Sequence, residues 1–332
     1  MRISVLGAGG WGTTLAILLH NNGHNVDIWE YKRSYAKSMH KARENKLYLP
    51  GVFIPKEINI THDLEEATHN RHIIVIAVPT QFIRSVMHDL RKYDFRNTTF
   101  ISVSKGIEKH TLMTVSNIIK DELPGISSSN IGVLSGPSHA EEVSKKIPTA
   151  VVSASEDLET AKMIQAAFMN SYFRVYHSDD ILGVEYGGAL KNVIAIGAGI
   201  VDGAGFGDNT KAAIMTRGIA EISRLGISLG AKPETFSGLS GMGDLIVTCM
   251  SKHSRNRFVG EQIGKGKKLK QVIESMNMVA EGVETCKSVY ELTTEHNILA
   301  PICHGVYEIL FEEKDPIKST YELMTRDMKS EL

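Results

Sequence analysis

The first nineteen residues read MRISVLGAGGWGTTLAILL. Residues Ile3–Leu6 predict a short buried strand, and the apolar residues from Leu15 onward have helical spacing. Between them, Gly7, Gly9 and Gly12 follow the pattern G-x-G-x-x-G, in which the glycines allow a tight turn, a close pyrophosphate and helix–strand packing. An ordinary glycine-rich turn would show the same letters. The position of this motif between a predicted strand and a predicted helix nevertheless favours dinucleotide binding, with the phosphates at the helix start.

The next predicted strand supports this interpretation. Residues Val26–Trp29 are followed by Glu30, which lies 18 residues after Gly12. An acid at this distance is placed to accept hydrogen bonds from a ribose 2′-hydroxyl, which favours NAD. Lys32 and Arg33 follow at once, and basic side chains there could hold the 2′-phosphate of NADP or simply lie in a solvated turn. We therefore favour NAD slightly and leave NADP open.

The composition is that of a globular protein long enough for two domains, with 332 residues, 42% hydrophobic and 23% charged. A formal net charge of −1 provides no general attraction to nucleic acid or a membrane surface. Three scattered cysteines without a C-x-x-C pair disfavour a disulfide framework and a zinc site. We expect a cytoplasmic location, because the N-terminus is a core strand and no apolar run approaches roughly 20 residues.

Continuous apolar runs predict a parallel sheet in residues 1–180. The run His72–Val78, which ends at Pro79, is typical of a strand buried on both faces. Similar runs predict strands at 99–103, 131–134, 149–153 and 173–176, with a helix between Asp157 and Met169. Alternating strands and helices indicate an α/β fold with a Rossmann-type doubly wound sheet, whose ligands bind at the carboxyl ends of the strands. We expect four loops at those ends to face one cleft: Gly7–Gly12, Pro79–Phe82, Ser104–Gly106 and Ser135–Ala140.

The pattern changes after residue 180, where strand-like runs give way to helical ones. We expect the domain boundary within 177–184 and an all-α second domain, residues 181–332, packed over the cleft. Predicted helices cover 184–202, 210–229, 255–264, 268–276, 282–296 and 302–312.

One lysine lies in the middle of a predicted helix with small residues around it. Gly187, Gly188, Ala195 and Ala198 share the face of Lys191. Such a face leaves space for a long cationic side chain to reach into a cavity. The alternative is close helix packing with the lysine extending to water. We favour the lysine in a cavity.

Two further clusters carry polar chemistry. Asp244 and Thr248 share a helical face if their segment is helical, although Asp244 could be an ordinary acid at a helix start. Ser254 is predicted to cap a helix with Arg255 and Asn256 in its first turn. A cation there opposes the helix dipole unless an anion is bound, so we favour a phosphate site over a solvated basic turn.

At this point the residues resemble a known family. The chain is similar to the NAD(P)-dependent glycerol-3-phosphate dehydrogenases, most closely the bacterial form, and the matching motifs span almost the full length. The motifs are Gly7–Thr13, Asn45–Gly51, Val78–Phe82, Ser104–Glu108, Leu134–Ala140, Gly188–Asn192, Gly205–Lys211, Gly241–Leu245, Ser254–Asn256 and Val279–Gly282.

The resemblance implies an enzyme that reversibly reduces dihydroxyacetone phosphate to sn-glycerol 3-phosphate for phospholipid synthesis, and it implies a homodimer. It makes Lys191 the general acid/base. We expect Asp244 and Thr248 to orient this lysine and the substrate hydroxyl. The implied substrate-binding residues are Lys105, Gly136, Ser138, Asp244, Ser254, Arg255 and Asn256, and we add Asn192, which follows Lys191 in the chain. The resemblance implies that Lys105, Ala140, Arg255, Val279 and Glu281 contact the cofactor. Together with the glycine turn and the residues after the second strand, the predicted cofactor site also includes Gly7, Gly9, Gly10, Trp11, Gly12, Glu30, Lys32, Arg33 and Phe82. Without the resemblance, Lys105 would be taken for a solvated loop lysine.

Two positions depart from the bacterial pattern. Gly10 is often serine in that family, and the bacterial members commonly have a small residue and then basic ones where this chain has Glu30-Tyr31-Lys32. The second departure puts a preference for NADP in doubt. Two alternatives remain: a related 3-hydroxyacid or 6-phosphogluconate dehydrogenase, and a sensor that binds NAD(H) without turnover. The sequence contains no H-E-x-x-H pattern, so it does not indicate a catalytic metal.

Overall fold

In the computed structural model, which describes residues 1–276, 278–328 and 330, the long apolar run forms the strand Ile73–Ile76. Its side chains alternate between two hydrophobic layers. Ile73 and Val75 belong to the core on one face of the sheet, and Ile74 and Ile76 belong to the core on the other. Because both layers exclude water, all four positions are apolar, and the prediction of two-sided burial is confirmed.

The first unit alternates strands and helices around this strand. Its elements are β1 (Arg2–Leu6), α1 (Gly10–Asn21), β2 (Asn25–Trp29), α2 (Arg33–Ala42), β3 (Glu44–Asn45), β4 (Leu49–Phe53), β5 (Asn59–Thr61), α3 (Leu64–Thr68), β6 (Ile73–Ile76), α4 (Thr80–Leu90), β7 (Thr99–Ser102), α5 (Val115–Glu122), β8 (Ile131–Ser135), α6 (Ala140–Val143), β9 (Thr149–Ser155), α7 (Leu158–Phe168) and β10 (Phe173–Ser178).

The sheet has the strand order β10-β9-β8-β7-β6-β1-β2-β5. Taken from the other edge, the first six strands, β5-β2-β1-β6-β7-β8, reproduce the Rossmann arrangement. Strand β1 lies next to the point where the order reverses. The predicted α/β fold is therefore confirmed. Strand β9 runs antiparallel to β8 but parallel to β10, so the sheet is mixed at this edge. The short strand β5 and the separate hairpin β3–β4 were not predicted, because neither has a long apolar run.

The second unit is helical in the residues that the structure describes. Its elements are α8 (Ile181–Gly203), α9 (Asp208–Ser228), α10 (Pro233–Ser237), α11 (Asp244–Met250), α12 (Arg255–Gly264), α13 (Leu269–Glu274), α14 (Glu281–Glu295), α15 (Pro301–Phe311) and α16 (Pro316–Met324). The six predicted helices are confirmed with small shifts at their ends. Helices α10, α11 and α16 were not predicted.

Helix α8 is the axis of this unit and contacts α12 through backbone. A Cβ added at Gly199 would overlap the carbonyl oxygen of Arg257, and one added at Gly260 would overlap that of Ile196. The two helices therefore cross with no side chain between them at these points. Such close packing fixes their relative position, because nothing in the contact can change its rotamer.

We propose that the two units divide between residues 180 and 181. Strand β10 ends at Ser178 and α8 begins at Ile181, whose side chain still packs in the core of the first unit. The predicted second domain also includes residues 277, 329, 331 and 332, which lie outside the described residues. Within the described part of the chain, no helix combines the length and apolar character needed to cross a bilayer.

Candidate functional site

The loops at the carboxyl ends of β1, β6, β7 and β8 adjoin, as predicted. A Cβ added at Gly7 would lie 2.7 Å from the carbonyl oxygen of Ala77, next to the loop after β6. One added at Gly106 would lie 2.7 Å from the hydroxyl oxygen of Thr80, and Lys105 Nζ donates to Gly136 O at 3.0 Å. The helical unit lies over this edge of the sheet and contributes the residues that follow.

Lys191 is held inside the protein by two side chains of α11. Its Nζ donates to Asp244 Oδ1 at 2.6 Å and to Thr248 Oγ1 at 2.5 Å. The Thr248 hydroxyl donates to the carbonyl oxygen of Asp244 at 2.6 Å, which leaves a lone pair to accept from the lysine. Lys191 is only 5% exposed. The alternative of a lysine extending to water is therefore wrong, and the predicted shared face of Asp244 and Thr248 is confirmed.

The second oxygen of Asp244 binds another lysine from the first unit. Lys105, in the loop after β7, donates from Nζ to Asp244 Oδ2 at 2.7 Å. Residue Asp244 begins α11 directly after one turn of π-helix, Leu239–Gly243, a distortion that is frequent at functional sites. One carboxylate therefore joins two ammonium groups from the two units. The interpretation of Lys105 as a solvated loop lysine is wrong.

The electrostatics of this cluster favour a proton donor near neutral pH. Burial lowers the pKa of Lys191 to about 8; the Asp244 carboxylate opposes this decrease and the Lys105 cation adds to it. Burial raises the pKa of Asp244, but the two ammonium groups outweigh it and the resulting pKa is below the ordinary value. With Asp244 ionised, two cations face one anion, so the cluster is suited to an anionic ligand.

The glycines beside Lys191 have a different role from the one expected. A Cβ at Gly187 would lie 2.6 Å from the backbone oxygen of Ser240, and one at Gly188 would lie 2.7 Å from Ser135 Oγ. The small residues therefore allow neighbouring segments to approach α8. Close packing explains the glycines, whereas burial among polar partners explains the lysine.

Asn192, the next residue on α8, binds the backbone of the cleft loop. Its Nδ2 donates to the carbonyl oxygen of Lys105 at 2.9 Å. This bond fixes the segment from which the Lys105 side chain reaches Asp244. Ser138, on the loop after β8, donates its hydroxyl to Gly136 O at 2.9 Å, so this oxygen accepts from both Ser138 and Lys105.

The predicted phosphate site is the first turn of α12. Ser254 caps this helix as predicted, because its Oγ accepts from the backbone N–H of Arg257 at 3.2 Å. Arg255 is exposed and donates to the carbonyl oxygen of Val279 at 2.9 Å. Asn256 is buried and accepts from the backbone N–H of Gly282 at 3.0 Å. The turn therefore lies against the start of α14.

The glycine turn fits a pyrophosphate. Gly7 has φ +111°, which favours glycine, and a Cβ at Gly12 would overlap the oxygen of Gly7. Gly9 has no atom within 4 Å of an added Cβ, so the space before α1 is open. No side chain caps α1, which leaves this end of the helix for an anion. Trp11 in this turn packs near Phe173, with ring centroids 6.4 Å apart.

The remaining predicted cofactor residues follow strands of the sheet, except for Val279, which precedes α14. Glu30 follows β2 and accepts at Oε1 from the backbone N–H of Lys32 at 2.9 Å; burial raises its pKa. Lys32 and Arg33 are exposed at the start of α2. Phe82 is exposed on α4, Val279 is exposed before α14, and Ala140 begins α6.

Glu281, at the start of α14, binds the start of α4. Its Oε1 accepts from both the backbone N–H and the hydroxyl of Thr80, each at 2.9 Å. The role of Thr80 was missed, as was that of Asn45, which contacts the glycine turn. Both stand in motifs that carry the family resemblance, but the letters alone do not identify partners so distant in sequence.

Comparison with known proteins gives a consistent result. A family model described as NAD-dependent glycerol-3-phosphate dehydrogenase N-terminus matches residues 2–161, and its C-terminus counterpart matches residues 180–321. A glycerol-3-phosphate dehydrogenase [NAD(P)+] from Chlorobium phaeobacteroides (strain BS1) is 53% identical over 100% of this chain and 99% of its own length. One from Prosthecochloris aestuarii is 52% identical over 100% of both chains.

Solved structures agree. The crystal structure of glycerol-3-phosphate dehydrogenase from Coxiella burnetii superposes with a TM-score of 0.94 at 35% identity, covering 98% of this chain and 99% of that one. A D-mandelate dehydrogenase bound to NADH and anilino(oxo)acetate superposes with a TM-score of 0.63 at 13% identity, covering 98% of this chain and 100% of that one. The latter likeness shows the fold alone.

Proposed function

This chain belongs to the family of NAD-dependent glycerol-3-phosphate dehydrogenases, and on that premise we propose how its own residues carry out the reaction. The enzyme is an oxidoreductase that reversibly reduces dihydroxyacetone phosphate with NAD(P)H to give sn-glycerol 3-phosphate, a precursor for phospholipid synthesis. The observation that carries the assignment of roles is the buried Lys191 ammonium between Asp244 and Thr248.

Lys191 is the general acid in the direction of reduction. When bound, the nicotinamide supplies a hydride to the substrate carbonyl carbon, C2. Negative charge then develops on the C2 oxygen, and the Lys191 ammonium stabilises this charge and transfers a proton to it. In the reverse direction the neutral amine of Lys191 removes the hydroxyl proton. A pKa of about 8 suits both directions, because either form of the amine is accessible near neutral pH.

Asp244 and Thr248 orient the Lys191 amine, and Lys105 compensates the charge of Asp244. The two bonds from α11 leave the lysine with its third N–H for a substrate oxygen. Because Lys105 holds the other oxygen of Asp244, the carboxylate cannot turn away from Lys191 without breaking an ion pair. Both lysines face the same anionic substrate.

The substrate phosphate binds at the first turn of α12. Ser254, Arg255 and Asn256 combine a hydroxyl, a guanidinium and an amide with the positive end of the helix dipole. Binding of the phosphate there aligns C2 with Lys191, so that the reacting groups are already oriented in the bound complex. Gly136 and Ser138, on the loop after β8, complete the substrate site together with Asn192 and Lys105, to which they are linked by hydrogen bonds.

The glycine turn at the carboxyl edge of the sheet would hold the pyrophosphate of the dinucleotide, because the start of α1 is open and has no side-chain cap. Glu30 would accept hydrogen bonds from the ribose hydroxyls, which favours NADH over NADPH as the reductant. Lys32 and Arg33 are the side chains that would donate to a 2′-phosphate. The residues of this site are Gly7, Gly9, Gly10, Trp11, Gly12, Glu30, Lys32, Arg33, Phe82, Lys105, Ala140, Arg255, Val279 and Glu281.

A cytoplasmic location and a homodimer complete the proposal. The three cysteines are buried and unbonded, which suits a reducing compartment. The homodimer rests on the family resemblance, and light scattering of the purified protein tests it directly.

The decisive experiment is the initial rate of NADH oxidation with dihydroxyacetone phosphate, repeated with NADPH. Turnover that is faster with NADH supports the reaction, the substrate and the role of Glu30 together. Nucleotide binding without turnover would instead identify a sensor. Turnover with a 3-hydroxyacid or 6-phosphogluconate and none with dihydroxyacetone phosphate or glycerol 3-phosphate would identify the related dehydrogenases.

A further inference from the structure

The hairpin formed by β3 and β4 has no part in the reaction described above. It is built from Glu44–Asn45 and Leu49–Phe53, and it lies outside the main sheet. The hairpin contacts the glycine turn closely: a Cβ added at Gly10 would lie 2.7 Å from the carbonyl oxygen of Tyr48. A side chain at position 10 would therefore require the turn or the hairpin to shift.

Asn45 is the link between the two. Its side chain is fully buried, and its Nδ2 donates to Ala8 O and to Thr13 Oγ1, each at 2.8 Å. Its Oδ1 accepts from the Tyr35 hydroxyl at 2.6 Å and from the Tyr48 backbone N–H at 3.1 Å. Both donors and both lone pairs of the amide are therefore used, and losing any of them would leave a buried polar group unsatisfied.

The two acceptors of the Asn45 amide, Ala8 O and Thr13 Oγ1, both belong to the glycine turn and the helix that follows it. Ala8 lies between the first two glycines of the turn, and Thr13 lies in the first turn of α1. Glycines lose more backbone entropy than other residues when they are ordered, so an unsupported turn of this composition would sample many shapes. Ordering it before the ligand arrives increases affinity, because less freedom is lost on binding.

We propose that Asn45 is a positioning residue for the cofactor, which holds the turn Gly7–Gly12 in the shape that receives the pyrophosphate. The β3–β4 hairpin thereby sets the affinity for the dinucleotide without contacting it through Asn45. This inference rests on the proposed cofactor role of the turn.

The test compares the two ends of the same amide. Asn45→Asp keeps the size and the acceptor but replaces the N–H donors that face Ala8 and Thr13. Thr13→Val removes one contact of the turn with little change in volume. Tyr35→Phe is the matched control. It removes the hydroxyl that donates to Oδ1 and accepts from the backbone N–H of Leu47, and it leaves the contacts to Ala8 and Thr13.

Three quantities are measured on the full-length protein. They are the Kd for NADH from protein fluorescence, the KM for dihydroxyacetone phosphate, and amide hydrogen exchange of residues 8–13 without nucleotide. We expect Asn45→Asp to raise the Kd about tenfold and Thr13→Val to raise it roughly threefold. Exchange at residues 8–13 should be faster in both, whereas the KM and the Tyr35→Phe variant should change by less than about twofold.

The outcomes are distinguishable. An unchanged Kd for NADH in Thr13→Val and in folded Asn45→Asp, or an equal increase in Tyr35→Phe, overturns the inference. If Asn45→Asp does not fold, Thr13→Val decides by itself. Failure of the unaltered protein to bind NADH would overturn the proposed function of the turn, which is a different result.

Discussion

Lys105 and Asp244 form an ion pair of 2.7 Å that joins the loop after β7 to the first residue of α11. Because Lys191 binds the other oxygen of the same carboxylate, a substitution of Lys105 affects the acid/base group through Asp244. The charge balance of the site is therefore shared between the two units of the protein. Most of the expected behaviour of variants follows from this arrangement.

The two directions of the reaction should respond oppositely to pH. Reduction requires the protonated form of Lys191, whose pKa is about 8, so kcat for reduction should fall as pH rises through this value. Oxidation requires the neutral amine, so its kcat should rise over the same range. Measuring kcat in both directions from about pH 6 to about pH 10 tests this expectation. A single shared optimum would contradict it.

Replacing Lys105 should raise the pKa of Lys191. The Lys105 cation contributes to lowering this pKa, and its removal also leaves Asp244 to interact with Lys191 alone. In Lys105→Ala the pH limb of kcat for reduction should move to higher pH, and the KM for dihydroxyacetone phosphate should increase. Lys109→Ala is the control, since Lys109 pairs with Glu284 instead. A limb that shifts equally in both variants would exclude a specific effect.

Lys191→Ala should abolish most of the chemistry and leave nucleotide binding intact. Loss of a general acid typically lowers turnover by about 10²- to 10⁴-fold. The Kd for NADH should stay near that of the unaltered protein, because the glycine turn lies on the other unit. Single-turnover kinetics and fluorescence titration measure the two quantities. Turnover close to normal would remove this lysine from the mechanism.

Arg255→Ala should chiefly raise the KM for dihydroxyacetone phosphate. Losing one charge-assisted contact to a phosphate corresponds to about 1.5 to 3 kcal/mol, which is at least a tenfold change in KM. Lys252→Ala removes an exposed positive charge three residues away and should leave the KM within about twofold. If both variants behave alike, the phosphate binds elsewhere.

Glu30→Gln should weaken the preference for NADH. The amide retains an oxygen for the backbone N–H of Lys32, but it removes the negative charge that repels a 2′-phosphate. The ratio of kcat/KM for NADH to that for NADPH should fall about tenfold. Glu57→Gln changes an exposed carboxylate and serves as the control. An unchanged ratio would show that Glu30 does not read the ribose.

Local patterns predicted much of the fold. The run at Ile73–Ile76 shows two-sided burial directly, because each position has an apolar side chain. The glycine turn and the cap at Ser254 are also local, and both were predicted in place. The β3–β4 hairpin was not, because its strands are held by a buried asparagine and by backbone contact with the turn.

The candidate site was only partly predictable for the same reason. Lys105 and Asp244 are 139 positions apart, and Thr80 and Glu281 are 201 apart, so no periodicity connects them. The small residues around Lys191 indicated the helix that carries this buried lysine, although they allow the close approach of Ser240 and Ser135. The residues themselves indicated a ribose-binding Glu30 and a phosphate site at Arg255 and Asn256, whereas the acid/base role of Lys191 and the substrate role of Lys105 came from the family resemblance.

The backbone contact between α8 and α12 fixes the distance between these two helices. Lys191 stands on one of these helices and Ser254–Asn256 on the start of the other, and no side chain at the Gly199 and Gly260 crossings can swell or shrink to change their spacing. The fixed spacing of the two helices therefore limits the distance between the carbonyl oxygen and the phosphate of a bound substrate. A ketone with one extra methylene before its phosphate should be measured and rejected, even though its charge and chemistry are the same.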